Sequence, residues 1–267
     1  MLIVELGWRY VLNQWRNKIF NLSVYHSGER PLSCLRYSQS LVEFLTLNEL
    51  FLLQLVRQLV SKGSTVYATA RKPDAAKELK KLADNAGVQI SCLDVNSPTS
   101  IQEWARNLRQ TVNHIDLLIN NAGILEASDL MEVTAEEMVE AFRVNAVGPL
   151  LVTQQLIKHG LLGKPGTSIV ANMSSRMGSV EDNGSGGYYS YRASKSALNV
   201  INKSLAIDLA PRGVACIDLH PGYVRTDMTG DRGTIDAQSC AAGLLKVLES
   251  DKPTGTWWDY KGEEVPW

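Results

Sequence analysis

Residues 115–123 read IDLLINNAG. Ile115–Asn120 is an apolar run too short for a helix and the right length for a strand buried on both faces. The turn Asn120-Asn121-Ala122-Gly123 that follows is built from small residues. The same alternation extends outward in both directions. Toward the amino terminus, Ser97–Val112 has helical spacing after a Ser/Thr start, and Val88–Val95 reads as a strand. Before these come a surface helix, Pro73–Asn85, and a strand, Ser64–Ala70. Ahead of that strand, Leu47, Leu50, Phe51, Val56, Leu59 and Val60 repeat at helical spacing and stop at Gly63. Toward the carboxyl terminus, Thr134–His159 predicts a long helix or a bent pair, Thr167–Asn172 a strand, and Tyr188–Leu209 a helix stopped by Pro211. Val214–Leu219 predicts a strand, Asp236–Leu248 a helix, and Thr256–Tyr260 a last short strand. Short strands alternating with helices predict βαβ units. The expected fold is a single α/β domain, a doubly wound parallel sheet with helices on both faces. Ligands of such sheets bind at the carboxyl ends of the strands, so chemistry is sought in the residues just after each one.

Composition narrows the function classes. The chain has 267 residues, with 27 Lys+Arg against 28 Asp+Glu and a formal net charge of −1. That balance gives no electrostatic case for a nucleic-acid backbone or an anionic membrane as partner. The four cysteines, Cys34, Cys92, Cys216 and Cys240, form no CxxC pair and have no histidine at metal-ligand spacing, so no metal site is expected. Unpaired cysteines of this kind suit a reducing compartment, and a cytoplasmic location is expected. Leu41–Val60, the most apolar stretch, carries Glu43, Asn48, Glu49 and Arg57, too many polar groups for a membrane span. Residues 6–28 hold Arg9, Arg16 and Lys18 without an acid, a faint organelle-presequence signal bracketed by Glu5 and Glu29.

The residues after the strands carry the chemistry. Arg71 and Lys72 follow Ser64–Ala70. In dinucleotide folds an acid near this point binds the ribose 2′-hydroxyl, and a base suits a 2′-phosphate; the bland reading is a solvated basic pair. Asp94 after Val88–Leu93 could accept from an adenine amino group or merely cap the next helix. The small residues Asn121, Ala122 and Gly123 allow close backbone approach by a cofactor, or form an ordinary turn. Ser174 and Ser175 follow Thr167–Asn172, and Tyr191 and Lys195 stand at i and i+4 on the next helix. A lysine ammonium within about 4–6 Å lowers a phenol pKa, and such a tyrosine can exchange a proton with a carbonyl or alcohol oxygen. Tyr188 also precedes Lys195, by seven residues, and is the poorer partner.

Singly these signals are weak; their order is specific. Asn120-Asn121-Ala122-Gly123, Asn145 in VNAVGP, Ser174-Ser175, Tyr191-Arg192-Ala193-Ser194-Lys195 and the stretch HPGYVRTD at 220–227 together resemble the classical short-chain dehydrogenase/reductase family. The stretch SGGYYSYRASKSALN at 185–199 and the ending DYKGEEVPW resemble its C-factor-type branch, whose longer Ser-to-Tyr spacing matches the insertion Glu181–Gly187. The resemblance runs from about Leu52 to Trp267. It implies a Rossmann-like fold and a catalytic set of Asn145, Ser175, Tyr191 and Lys195. Tyr191 is then the general acid/base, and Lys195 lowers its pKa and binds the nicotinamide ribose. Ser175, three residues before Gly178 as in the family, orients the substrate carbonyl, and Asn145 holds a relay water by bending the long helix. It further implies that Asp94 and Val95 flank adenine, that Asn121, Ala122 and Gly123 lie along the ribose, and that Pro221, Gly222, Val224 and Thr226 seat the nicotinamide. Arg71 after a non-acidic Ala70 resembles the NADP-preferring type. A homodimer or homotetramer built through the long helices is the family's habit.

One motif of the family is missing. A first strand leading into a glycine-rich turn, TGxxxGIG, normally precedes the first helix and brings backbone N–H groups to the pyrophosphate. The helix LLQLVRQLVSKG at 52–63 matches the family's first helix, but Leu50 and Leu52 stand where two of the glycines belong, and LVEFLTLN at 41–48 contains none. Of 20 glycines in the chain, only Gly7 and Gly28 precede residue 63. Residues 1–45 are thus expected to be an atypical head ahead of a dehydrogenase domain at 46–267. Met1–Leu6 or Asn21–His26 could be borrowed as the central strand; the favoured expectation is that the first strand and its turn are replaced or missing. Two functions follow. One is an NADP(H)-dependent oxidoreductase interconverting a small-molecule carbonyl and secondary alcohol. The other is a non-catalytic relative or splice variant with impaired cofactor binding, acting as a dimer or signalling partner.

Overall fold

The computed structural model describes residues 20–25, 49–83, 87–163, 168–226 and 232–267. Its strands are β1 (Phe20–Tyr25), β2 (Thr65–Ala70), β3 (Val88–Cys92), β4 (Leu117–Asn120), β5 (Ser168–Met173), β6 (Val214–His220) and β7 (Thr256–Asp259). Its helices are α1 (Glu49–Ser61), α2 (Lys77–Ala83), α3 (Pro98–Leu108), α4 (Ala135–Phe142), α5 (Gly148–Lys158), α6 (Tyr189–Leu209) and α7 (Ala237–Glu249). The strands form one sheet in the order β3-β2-β1-β4-β5-β6-β7. The expected doubly wound α/β architecture is present, with one correction at its centre.

That correction is β1. The slot whose strand was expected to be replaced or missing is taken by Phe20–Tyr25, which overlaps the less favoured candidate Asn21–His26. The strand runs antiparallel to both neighbours: Phe20 faces Ala70 and Tyr25 faces Thr65, while Leu22 faces Ile119 on the other side. All other pairings are parallel. The sheet is therefore mixed rather than wholly parallel. A strand of either direction completes the ladders of both neighbours, because each backbone residue offers one donor and one acceptor whichever way it runs. Met1–Leu6, the presequence-like stretch 6–28 apart from residues 20–25, and Leu41–Asn48 lie outside the described residues.

Two apolar layers flank the sheet. Strand side chains alternate between them, as the period of two requires. Leu117, Ile119, Ala171, Ile217 and Leu219 face one layer, made by Phe51, Leu55 and Leu59 of α1 with Leu244 and Leu248 of α7. Leu118, Val170 and Cys216 face the other, made by Ile101 and Trp104 of α3, Val152 and Leu156 of α5 and Leu209 of α6. Helix ends follow local chemistry. Ser97, Thr134 and Asp236 cap α3, α4 and α7 by accepting from the backbone N–H three residues on. The long helical stretch expected over Thr134–His159 is the bent alternative: α4 passes into a π-helical turn at Arg143–Val147 before α5 begins.

Candidate active site

The site is assembled at the carboxyl ends of β4, β5 and β6. Asn145 lies in the π-turn, a one-residue widening of the helix of a kind frequent at functional positions. It is fully buried, and its side chain is spent on the turn after β4: Oδ1 accepts from the Ile124 N–H at 2.8 Å, and Nδ2 donates to the Ile124 carbonyl at 2.8 Å and to Ser194 Oγ at 2.9 Å. Asn145 is thus bound to the strand-end loop and, through Ser194, to α6. Gly123 lies within this arrangement. A Cβ there would stand 3.3 Å from Asn145 Oδ1 and 3.5 Å from Lys195 Nζ.

Ser175 follows β5 and opens a short 3₁₀ turn, Arg176–Gly178, with its Oγ accepting from the Met177 N–H. It is buried and hydrogen-bonds Tyr191. Gly178 lets the turn lie flat on α6: a Cβ at this position would stand 2.8 Å from both the carbonyl carbon and Cβ of Lys195. The insertion Glu181–Gly187 is tied back by Arg192. Its guanidinium donates to the Gly187 carbonyl at 3.1 Å, the Met177 carbonyl at 3.2 Å and Ser185 Oγ at 2.9 Å. Arg192 carries no local signal of this role in the sequence; only the fold shows that its planar fork joins both loops to the helix that carries Tyr191. Tyr188, at the start of α6, has φ of 53°, the sole positive φ outside glycine among the described residues.

Tyr191 and Lys195 are both buried on one face of α6. Burial raises the Tyr191 phenol above its ordinary value, and the Ser175 hydrogen bond pulls it back down. The Lys195 ammonium donates to the Met173 carbonyl at 2.7 Å and lies 5.7 Å from the Tyr191 ring centroid. Burial brings the Lys195 amine down to about 8, and the nearby Asp218 carboxyl opposes that fall.

The other expected contacts are distributed along the same rim. Arg71 follows β2; its carbonyl accepts from Cys92 Sγ, and burial lowers its guanidinium while Asp94 and Glu140 oppose the shift. The Asp94 carboxylate accepts from the Asn96 N–H at 2.9 Å, so it caps the turn entering α3. Val95 is buried against the start of α5, where a Cβ on Gly148 would stand 3.0 Å from its carbonyl oxygen. After β4, Asn121 is half-buried and Ala122 is buried. After β6, the Pro221 carbonyl accepts from Cys240 Sγ, Gly222 takes φ of +78°, and Val224 and Thr226 are buried. Asp227, the last residue of that motif, lies outside the described residues. No group of side chains that could hold a metal ion occurs among the described residues.

A family model described as short chain dehydrogenase matches residues 53–236. The chain belongs to the short-chain dehydrogenase family. C-signal of Myxococcus xanthus is 42% identical over 159 residues, covering 57% of this chain and 93% of that protein, which places the chain with the C-factor-type branch. An uncharacterized oxidoreductase of Schizosaccharomyces pombe is 34% identical over 236 residues, covering 80% of this chain and 92% of its own length. Among solved structures, the carbonyl reductase Sniffer of D. melanogaster superposes with a TM-score of 0.75 at 29% identity, covering 80% of this chain and 94% of that one. The NADPH-bound carbonyl reductase from chicken fatty liver also gives 0.75, at 32% identity over 81% of this chain and 94% of that one. The likeness to these two solved structures shows the Rossmann-like α/β fold.

Proposed function

We propose that this protein is an NADP(H)-dependent oxidoreductase that interconverts a small-molecule carbonyl and a secondary alcohol. The observation carrying the proposal is the convergence of Ser175, Tyr191, Lys195 and Asn145, all buried, at the carboxyl ends of β4, β5 and β6. The oxidoreductase relatives and the NADPH-bound neighbour support the same reading. The donor set fits a nicotinamide dinucleotide. Arg71 supplies a cation beyond β2 for a 2′-phosphate, Asp94 and Val95 border the adenine position, and Asn121, Ala122 and Gly123 offer close backbone approach. Lys195 would hold the nicotinamide ribose, and Pro221, Gly222, Val224 and Thr226 would seat the nicotinamide. NADPH supplies the hydride when bound.

The residues do the rest. Ser175 and Tyr191 are hydrogen-bonded to each other, so a substrate carbonyl oxygen entering between them would take a hydrogen bond from each. Tyr191 delivers its proton to that oxygen as charge develops on it. A high phenol pKa keeps the proton in place until then. Ser175 and the Lys195 charge favour the tyrosinate left behind, and Lys195 restores the proton. Asn145, fixed to Ile124 and Ser194, holds the helix bend through which that proton is replaced. Helices α4 and α6 carry the exposed apolar residues Val139, Phe142, Val200 and Ile207, which suit a homodimer or homotetramer. Among the described residues no helix is long and apolar enough to cross a membrane, and the cysteine pattern fits a cytoplasmic setting.

The second reading, a non-catalytic relative, rests on the glycine-free sequence before α1. NADPH titration by fluorescence or thermal shift separates the two. Saturable binding, with Tyr191→Phe removing turnover by at least about 10²-fold while binding persists, supports the enzyme. A folded protein that ignores millimolar NADPH refutes it, and a Tyr191→Phe variant of undiminished turnover refutes the assigned acid.

A further inference from the structure

The first turn of α6 carries Tyr191, yet its own cap does not hold it. Tyr188, the N-cap, has a left-handed φ of 53° and makes no side-chain cap hydrogen bond. The turn is held instead by bonds to other elements, and one of them comes from α4. Thr134-Ala135-Glu136-Glu137 has the spacing of a capping box, in which the glutamate at the third helical position turns back to the N–H of the N-cap. Half of that box forms: the Glu137 N–H donates to Thr134 Oγ1 at 3.1 Å. The carboxylate is diverted. Glu137 is buried, and its two oxygens take separate hydroxyls. Ser190 Oγ donates to Oε1 at 2.8 Å, and Ser128 Oγ donates to Oε2 at 2.6 Å.

Both serines are buried as well. Ser190 directly precedes Tyr191. Ser128 lies in the loop after β4, which leaves the reacting centre at Gly123 and is bound through the N–H and carbonyl of Ile124 to Asn145. A Cβ on Gly123 would stand 3.5 Å from Lys195 Nζ. One carboxylate thus joins two segments of the site. Taking a carboxylate out of water is costly unless its lone pairs are met, and two hydroxyl donors at these distances meet them.

We propose that Glu137 is a positioning residue for the reaction above: its carboxylate clamps the loop after β4 to the first turn of α6 and so fixes the Tyr191 hydroxyl beside Ser175. The inference rests on the role given to Tyr191. Arg192 ties the same turn to Met177, Ser185 and Gly187, in the segment after β5; Glu137 ties it to the segment after β4. The Tyr191–Ser175 bond cannot replace the second tie, because an incoming carbonyl oxygen takes its place.

The clamp and the chemistry are read separately. Amide hydrogen exchange, followed by mass spectrometry on the full chain, compares peptides covering residues 124–133 and 188–192. Both segments exchange roughly three- to tenfold faster in Glu137→Ala, the change expected for lost hydrogen bonds. Glu137→Met keeps most of the volume without an acceptor, matches the alanine variant, and replaces it if that variant does not fold. Glu137→Gln restores most of the native protection, since its amide oxygen still accepts and its amino group finds a hydroxyl oxygen. Faster exchange in one segment only, or in neither, overturns the proposal. So does full protection in Glu137→Met, the mark of packing alone.

The kinetic arm follows NADPH oxidation with para-nitrobenzaldehyde as the carbonyl. In Glu137→Ala kcat falls by roughly 10- to 10²-fold, as for a displaced proton donor, while NADPH affinity is unchanged. Ser190→Ala shows a like fall, and combining it with Glu137→Ala brings no further loss, because the two side chains are halves of one contact. A native kcat in Glu137→Ala overturns the proposal, as does a double variant whose loss is the product of the two single losses. Undiminished kcat in Tyr191→Phe discards the reading above and this role with it. An inactive Tyr191→Phe beside an unimpaired Glu137→Ala discards this role alone.

Discussion

Gly178 shows how one missing side chain sets catalytic geometry. The turn that carries Ser175 rests directly on the backbone of Lys195, and even a methyl group at Gly178 would meet it at 2.8 Å. Backbone on both sides cannot yield as a flexible side chain does. Gly178→Ala is therefore expected to lift the turn from α6 and separate Ser175 from Tyr191. Displacement of about 1 Å at a reacting centre costs on the order of 10²-fold. The expected result is a drop of that order in kcat/KM with NADPH affinity nearly unchanged; full activity would mean that Ser175 is not held by this contact. His220 makes a different prediction, for stability. Burial keeps its folded pKa well below the ordinary value, whereas the unfolded ring protonates as pH falls through about 6.5. Below that pH the unfolded state binds the extra proton, so this ring removes stability as pH falls, by up to about 1.4 kcal/mol per unit. Asp218 acts with the opposite sign over the same range, because its folded carboxyl stays protonated longer. The informative quantity is the difference between proteins. His220→Gln, which keeps an acceptor for the Arg176 N–H, is expected to lose stability less steeply than the native chain in denaturant midpoints from pH 5 to 7. Parallel slopes would refute it. Residues of this kind differ in how far sequence reveals them. Tyr191 and Lys195 are legible because i and i+4 share a helical face whatever the tertiary fold. Asp218 is not, because its neighbours Asn172 and Asn202 come from β5 and α6, and an acid inside CIDLH reads locally as an interruption of a strand.

At the scale of elements, helices and parallel strands were legible from period and length, and β1 was only half legible. Alternation identifies a strand but is the same read forwards or backwards, so it carries no direction. Composition placed Asn21–His26 among the candidates; only the ladder partners of Phe20–Tyr25 fix its polarity. The π-turn behaves similarly. The length of Thr134–His159 suggested a bend, but the extra residue that widens the turn leaves no mark on apolar spacing. The antiparallel strand is itself testable. Val24 lies opposite Val66 on one side and Leu117 on the other, in the middle of the sheet. Proline there removes an N–H from a central ladder and imposes a ring on its neighbours. Val24→Pro is expected to lower stability by more than about 1 kcal/mol, the net value of one hydrogen bond, read as a lower urea midpoint. The same midpoint as the native chain would mean that residues 20–25 are not the central strand.

For the whole molecule, the polarity of β1 bears on the order of events in time. A parallel neighbour is reached through a crossover whose hand is fixed; an antiparallel strand belongs to no such unit and escapes that rule. On either side of it, β2 already pairs with β3 and β4 with β5. Two half-sheets can therefore form separately, each with an open inner edge, and β1 is the piece that closes the gap between them. Twenty-three residues separate Tyr25 from Glu49 along the chain. Open edges invite pairing with other chains while they last. The first of the described strands to leave the ribosome is thus the one needed last, and the interval between its synthesis and its docking sets how long a nascent chain stays vulnerable to aggregation.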